Sequence, residues 1–123
     1  MKHLYNLTIK QTHEDLVNKK YSALELAQNF FKWIDVEDKK VDAFLSVDKE
    51  AAYLQAEKTD LLIAKNKPID MLSGVPMAIK DNILIEGQPA TAGSRILEHY
   101  KAVYDATVIK KLKNAGAVFL GKT

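Results

Sequence analysis

A chain of 123 residues is long enough for one modest domain. Apolar residues make up 47% of it, which is enough for a hydrophobic core, and charged residues make up 28%, as on an ordinary soluble surface. The 18 basic and 16 acidic side chains leave a net charge of +2, too balanced to indicate binding to nucleic acid or a membrane through bulk charge. The lack of cysteine excludes disulfides, thiolate catalysis and cysteine-ligated zinc.

No targeting or membrane segment is recognisable in the sequence. The first residues lack the apolar stretch of a secretory signal peptide, and no window approaches about 18 consecutive apolar residues. With no cysteine to form disulfides, we expect a cytoplasmic protein that makes no contact with a membrane.

The N-terminal half of the chain has the pattern of packed helices. Thr8 or Thr12 can cap a short helix that ends near Asn18, and Ser22 with Glu25 forms a capping box that begins a second helix. Apolar residues recur every three or four positions along the second helix, which predicts a face turned to the core. They are Leu24, Ala27, Phe31 and Ile34, and the face is widened by Leu26, Phe30 and Trp33.

A short strand and a third helix follow. Residues 43–47 are largely apolar and predict the strand. Asp48 is positioned as the N-cap of the helix, which we expect to end near Ala64 because Pro68 comes soon after.

The second half of the chain has the order strand, helix, strand. Residues 75–82 and 117–120 predict the strands, and Asp105 is positioned to cap the helix between them, with Gly116 as its stop. Such a path favours parallel or mixed pairing in an α/β layer architecture.

The last eight residues match the phosphate-loop pattern G-x-x-x-x-G-K-[ST]. A phosphate loop must follow a strand and begin a helix, with its backbone N–H groups exposed. Here the segment before Gly116 is predicted to be helical, and the variable positions are Ala, Val, Phe and Leu, which favour a strand. We therefore interpret the match as a buried strand followed by a turn, and not as a nucleotide site.

The histidines do not indicate a metal site. His3, His13 and His99 are scattered, without helical ligand spacing and without carboxylates in a metal-binding pattern. We expect them at the surface, and we expect no metal or cofactor bound by this chain.

Lys80 is the strongest candidate for a catalytic residue. It lies in a predicted strand with apolar residues on both sides, which indicates burial on both faces. Burial lowers the pKa of a lysine, and a neutral amine near pH 7 can accept a proton from a hydroxyl nucleophile. On the residues alone, the favoured interpretation is a lysine that reaches water from the strand end, or that pairs with Asp81 or a more distant carboxylate, because structural ion pairs also bury lysines.

Several motifs resemble those of the amidase-signature family. The stretch L-S-G-V-P-M-A-I-K-D-N, over residues 72–82, resembles the first conserved block of that family. Y-D-A-T-V at 104–108, A-G-A at 115–117 and G-K-T at 121–123 resemble the block that follows. The resemblance covers nearly the whole chain. It is strongest to the tRNA-dependent amidotransferase branch, because of the residues around I-L-E at 96–98.

This resemblance implies a fold and a mechanism. The fold is a single α/β domain over 1–123, mainly helical over 1–67, with the first strands and helix of an incomplete mixed-sheet core over 68–123. The family uses a Ser–cis-Ser–Lys triad, in which Lys80 would deprotonate a bridging serine. That serine activates a second serine, which attacks the carboxamide to form an acyl-enzyme and release ammonia.

The tRNA-dependent branch also implies partners. Glutamine would donate the ammonia, and B and C subunits would complete the amidotransferase, a carbon–nitrogen ligase. The partner subunit would use ATP and Mg²⁺ and make most contacts with the charged tRNA. The ammonia would convert Glu-tRNA(Gln) to Gln-tRNA(Gln).

Both serines of the triad are expected in a Gly/Ser-rich segment that this sequence does not contain. Ser22, Ser46, Ser73 and Ser94 lie in no such segment, so we expect an N-terminal fragment that is inactive alone. Two alternatives stay open: a fragment of another amidase-signature amide hydrolase, and a noncatalytic α/β module that binds a partner protein through its helical half.

Overall fold

The computed structural model describes residues 4–123, and its elements follow the predicted order. The helices are α1 (Ile9–Val17), α2 (Ala23–Val41), α3 (Lys49–Ala64) and α4 (Thr107–Asn114). The strands are β1 (Ser46–Val47), β2 (Pro76–Ile79) and β3 (Val118–Lys122), and two short 3₁₀ turns occupy Leu4–Asn6 and Arg95–Leu97. No helix within residues 4–123 is long and apolar enough to cross a membrane.

The first two helices begin at predicted capping residues. Thr8, and not Thr12, begins α1: its hydroxyl accepts from the Gln11 N–H at 3.2 Å, and the Gln11 side chain accepts from the Thr8 N–H at 2.9 Å. Ser22 and Glu25 make the same reciprocal pair at the start of α2, at 3.0 and 2.8 Å. These bonds satisfy N–H groups that a helix start leaves without partners.

The third helix is capped as predicted and in turn supports the second. Asp48 accepts from the Ala51 N–H at 3.0 Å at the start of α3. Asp60, further along α3, accepts from the N–H groups of Ala23 and Leu24 at 2.7 and 3.1 Å. The carboxylate of Asp60 therefore lies at the positive end of the α2 dipole and joins the two helices.

β3 is the central strand of a three-stranded mixed sheet with the order β1, β3, β2. β2 runs parallel to β3 and β1 antiparallel, and α4 is the crossover between the parallel strands. Gly116 stops the helix two residues after Asn114, with a φ of +76°, as predicted. The Gly116 and Ala117 N–H groups donate to the carbonyls of Lys113 and Leu112 at 3.0 and 3.1 Å, which is the Schellman pattern.

Hydrophobic clusters contact β3 from two sides, because successive residues of a strand point to opposite faces. The first cluster joins α1, α2 and α3 to β3 and consists of Leu16, Ala23, Ala27, Phe31, Ile34, Ala52, Ala56, Val118 and Leu120. The second joins β2 and α4 to β3 and consists of Ile79, Ile85, Ile109, Ala117 and Phe119. Trp33 is 43% exposed, so the predicted core face of α2 is narrower than its apolar pattern.

Several predicted element ends differ from the structure, beginning with β1, which spans only Ser46–Val47 of the predicted 43–47. The strand predicted over 75–82 ends at Ile79, because the chain turns and the Ile83 N–H donates to the Lys80 carbonyl at 3.0 Å. Asp105 does not cap α4, whose N-cap is Ala106 without a side-chain hydrogen bond. Asp105 instead accepts from the Glu86 N–H at 2.9 Å and from the Lys113 ammonium at 2.6 Å.

Candidate active site

Lys80 lies directly after the last residue of β2, at the C-terminal edge of the parallel strand pair. Ala78 and Lys80 are exposed whereas Ile79 and Asp81 are buried, which is the alternation of faces that a strand produces. Among residues 4–123, no side chain forms a hydrogen bond or an ion pair with the Lys80 amine. The amine is therefore available to a group outside the described contacts.

The prediction that Lys80 is buried was wrong. Apolar neighbours on both sides of a residue in sequence indicated a strand covered on both faces, but the face that carries Ala78 and Lys80 is open to solvent. α1, α2 and α3 share a core cluster with β3, and β2 lies at the edge of the sheet. The described residues therefore leave the Lys80 side chain exposed.

The backbone around Lys80 is tightly held, in contrast to its side chain. The Thr123 N–H donates to the Ile79 carbonyl at 2.9 Å, and the Asp81 N–H donates to the Thr123 carbonyl at 2.7 Å. These bonds bracket Lys80 on both sides, and the turn bond from Ile83 closes on its carbonyl. The Cα position of Lys80 is thus determined by the end of β3.

Asp81 is the buried neighbour of Lys80, with only 4% of its surface exposed. Its carboxylate accepts from the Thr91 N–H at 3.1 Å and makes a shorter hydrogen bond with the Thr91 hydroxyl. Its other oxygen lies 3.5 Å from the ammonium of Lys122. The Asp81 carbonyl accepts from the Ala92 N–H at 3.2 Å, so side chain and backbone both contact the same returning segment.

This environment favours the charged form of Asp81. Burial raises the pKa of the Asp81 carboxyl, but the hydrogen bonds from Thr91 and the charge of Lys122 together outweigh burial. The pKa therefore lies below its ordinary value of 3.8. Asp81 is an ionised anchor at neutral pH and cannot donate a proton there.

Among residues 4–123, Lys122 is the buried lysine, with no exposed surface. Its ammonium donates to the carbonyls of Ile83 and Pro89 at 2.8 and 2.9 Å, in addition to its ion pair with Asp81. The phosphate-loop match was thus correctly interpreted as a strand. The predicted turn was wrong, since β3 extends through Lys122, whose amine is used inside the protein.

An irregularity in the sheet aligns Lys122 with the end of β2. Met77 pairs with Phe119, but Ala78 pairs with Gly121, so β3 uses one more residue than β2 between these pairs. The extra residue brings Lys122 opposite Ile79. Sequence reasoning did not identify Lys122 or Asp81 as partners; the only local sign was a lysine at the end of an otherwise apolar strand, next to a glycine.

Two of the four serines, Ser22 and Ser73, have hydroxyl groups in structural hydrogen bonds. Ser22 caps α2, and the buried hydroxyl of Ser73 donates to the Ala115 carbonyl at 3.0 Å. Ser46 pairs with Lys122 across the sheet, and Ser94 begins the 3₁₀ turn Arg95–Leu97. A cavity of about 610 Å³ lies between α3 and the segment before β2, and Lys80 is not among its lining residues.

Comparison with known proteins identifies the class. The sequence profile of the Amidase family matches residues 25–123, which include β2, Lys80 and both members of the buried ion pair of Asp81 and Lys122. The chain therefore belongs to the amidase family.

Curated relatives point to one branch of that family. The chain is 46% identical over 119 residues to the A subunit of the glutamyl-tRNA(Gln) amidotransferase from Limosilactobacillus fermentum, covering 96% of this chain and 24% of the relative. It is 41% identical over 120 residues to the corresponding subunit of Fusobacterium nucleatum, covering 98% of this chain and 25% of the relative. The chain thus spans about a quarter of the length of these relatives and matches an N-terminal part of them.

Solved structures confirm the fold. An amidase family protein from Bacillus anthracis superposes with a TM-score of 0.86 at 30% identity, covering 98% of this chain and 24% of that one. The peptide amidase of Stenotrophomonas maltophilia superposes with a TM-score of 0.88 at 25% identity, covering 96% of this chain and 24% of that one. The predicted α/β architecture, with a helical first half and the beginning of a mixed sheet, is therefore confirmed.

Proposed function

We propose that this chain is the N-terminal part of the glutamine-hydrolysing subunit of a tRNA-dependent amidotransferase, and that Lys80 is its base. One observation carries the proposal. In a segment that matches the amidase family, a lysine amine without a partner among residues 4–123 projects from a firmly bonded backbone. The neighbouring side chains of Asp81 and Lys122 have internal partners, whereas this amine is available for a reacting group.

The proposed reaction moves one proton through Lys80. The neutral amine accepts a proton from a bridging serine, which takes one from the nucleophilic serine. The nucleophile attacks the carboxamide carbon of glutamine, the C–N bond breaks, and the proton returns to the nitrogen, which leaves as ammonia. Water then hydrolyses the ester to release glutamate. We propose that both serines, and the surfaces that cover Lys80, lie in the remaining three quarters of the length that the relatives possess.

The proposed partners follow from the same branch. The ammonia would pass to a partner subunit that uses ATP and Mg²⁺ to activate the misacylated tRNA, with B and C subunits in a cytoplasmic complex. The names and the identities of 41–46% of the curated relatives support this proposal over a different amide substrate.

A chimeric enzyme tests the role of Lys80. This chain would replace the matching segment of the Fusobacterium nucleatum subunit, with which it aligns over 120 residues. Lys80→Ala should reduce glutamate release from glutamine by about a thousandfold or more, since the nucleophile loses its base. Lys80→Arg should fail equally, because a guanidinium stays protonated.

The control is Lys67→Ala, which removes another exposed lysine and should leave turnover within about twofold. Near-normal turnover of either Lys80 variant, with circular dichroism matching the parent, would show that Lys80 is not the base.

The same chimera tests the partner assignment. It should elute with the B and C subunits in size-exclusion chromatography, because the surfaces of this segment would belong to that complex. A chimera that hydrolyses glutamine but elutes alone would favour another amide hydrolase.

A further inference from the structure

We infer that the buried ion pair of Asp81 and Lys122 positions the Lys80 amine, by holding the chain on both sides of the turn that follows β2. This inference rests on the proposed function of Lys80, since the buried pair would act through that residue.

An exposed lysine can act as a base only if its amine is held in position relative to the proton donor. Its side chain rotates about four bonds, so its reach is set by the backbone from which it starts. Reaction requires the proton acceptor within hydrogen-bond distance of its donor, and small displacements of the acceptor are costly for rate. As long as no other group contacts the amine, its position is therefore limited only by the backbone segment that carries Lys80.

The ion pair restrains this backbone segment through the contacts that its two residues make. Asp81, the residue after Lys80, is bonded to Thr91 in the returning segment. Lys122, at the end of β3, donates to the carbonyls of Ile83 and Pro89, which lie between Asp81 and Thr91 in the chain. The ammonium of Lys122 and the carboxylate of Asp81 thus hold the segment after Lys80 at Ile83, Pro89 and Thr91.

Stability alone is a weak reason for these charges. Removing an ammonium and a carboxylate from water is costly, and a buried ion pair is often no more stabilising than packed apolar residues of similar size. The pair does satisfy two backbone carbonyls and fix one geometry, which is how buried polar groups specify structure. That geometry lies one residue from the proposed base.

The first experiment measures the rates of amide hydrogen exchange in the segment after Lys80, in this chain. Asp81→Asn keeps the shape of the side chain and removes its charge. It should speed exchange at the amides of Ile83, Thr91 and Ala92 by about tenfold, while the Leu45 amide, which donates to the Lys122 carbonyl at 2.8 Å, stays protected. Unchanged exchange at the three amides would overturn the inference.

The matched control for exchange is Asp105→Asn. Asp105 also accepts one backbone N–H and one lysine ammonium, but it holds the Glu86 amide. Asp105→Asn should speed exchange at the Glu86 amide and leave the Thr91 and Ala92 amides protected. Equal loss at Thr91 and Ala92 in both variants would overturn the specific role of the ion pair.

The second experiment measures turnover in the chimera. Asp81→Asn should lower kcat by about tenfold or more with KM nearly unchanged, because substrate still binds while the base is misplaced. Asp105→Asn should leave kcat within about twofold.

Two Thr91 variants cover the case in which Asp81→Asn does not fold, since both preserve the ion pair. Thr91→Val removes the hydroxyl donor and should lower kcat, whereas Thr91→Ser restores the donor and should recover it.

The outcomes separate the inference from the proposed function. If Lys80→Ala abolishes turnover but Asp81→Asn and Thr91→Val keep the parent kcat, the positioning role is wrong and the base assignment stands. If Lys80→Ala keeps full turnover, the proposed function is wrong, and the positioning role is overturned with it, whatever hydrogen exchange shows.

Discussion

At the scale of single residues, Lys122 at the end of β3 has no exposed surface, whereas Lys80 at the end of β2 is exposed. Lys80 was predicted to be buried because its neighbours in sequence are apolar, yet it is exposed and Lys122 is buried instead. Burial depends on what packs against a face, and neighbours in sequence do not determine that. The partners of Lys122 are Asp81, Ile83 and Pro89, which are distant from it in the chain.

The ionised state of Asp81 predicts a dependence of stability on pH. Its folded pKa lies below 3.8, the ordinary value that it regains on unfolding, so the unfolded chain binds the proton more readily. The stabilisation is present above the unfolded pKa and is lost as pH falls through the folded one. The unfolding free energy of the parent should therefore decline more steeply than that of Asp81→Asn between about pH 5 and about pH 2.

Urea unfolding at a series of pH values checks this prediction. Asp105→Asn provides a second test. Burial raises the pKa of Asp105, but the hydrogen bonds from Lys113 and the Glu86 N–H outweigh burial, so the pKa of Asp105 is also lowered. Each substitution should remove part of the acid dependence, and the double substitution should remove the sum. Parallel curves for the parent and Asp81→Asn would contradict the assigned state of Asp81.

At the scale of elements, local patterns predicted most of the fold. The Ser22–Glu25 capping box, the Thr8 and Asp48 caps and the Gly116 stop depend on residues at most five positions apart, so the sequence displays them directly. The contact from Asp60 to the start of α2 and the extra residue in β3 depend on how elements meet. No local pattern reports such contacts, and these were the features that sequence reasoning missed.

Gly121 is required for the pairing of β1 with β3. A Cβ at this position would lie 2.1 Å from the Ser46 carbonyl oxygen and 2.9 Å from the Val47 Cα, which are backbone atoms that cannot rotate away. Gly121→Ala should therefore cost about 1–3 kcal/mol of unfolding free energy and separate the two strands. Hydrogen exchange should show lost protection at the Leu45 and Asp48 amides, which donate to β3 carbonyls at 2.8 and 3.1 Å.

Gly87→Ala is the control for that prediction. Gly87 has a φ of +79° and no atom within 4 Å of an added Cβ, so alanine there brings backbone strain without a clash. It should destabilise the chain while the Leu45 and Asp48 amides keep their protection relative to global unfolding. Intact β1 protection in Gly121→Ala would show that the strands tolerate the added methyl group.

At the scale of the whole molecule, a buried polar cluster is organised beside an amine that has no partner among residues 4–123. The predicted α/β class and family are confirmed, whereas the Lys80 mechanism, the tRNA role and the partner subunits stay predictions. A catalytic triad is a property of residues that meet only in the folded enzyme. Lys80 could be named from its motif, but no pattern within 123 residues supplies the groups that would meet it.

The positions of the serines predict that this chain alone does not hydrolyse glutamine. Ser22 and Ser73 have their hydroxyls bonded to α2 and to the Ala115 carbonyl, and among the described residues no serine forms a hydrogen bond with Lys80. A base without a nucleophile within hydrogen-bond reach cannot start acyl transfer. Glutamate release by the purified chain should therefore equal that of its Lys80→Ala variant and of buffer. Release that exceeds buffer and disappears in Lys80→Ala would show that a serine of this chain reaches the amine and completes a site on its own.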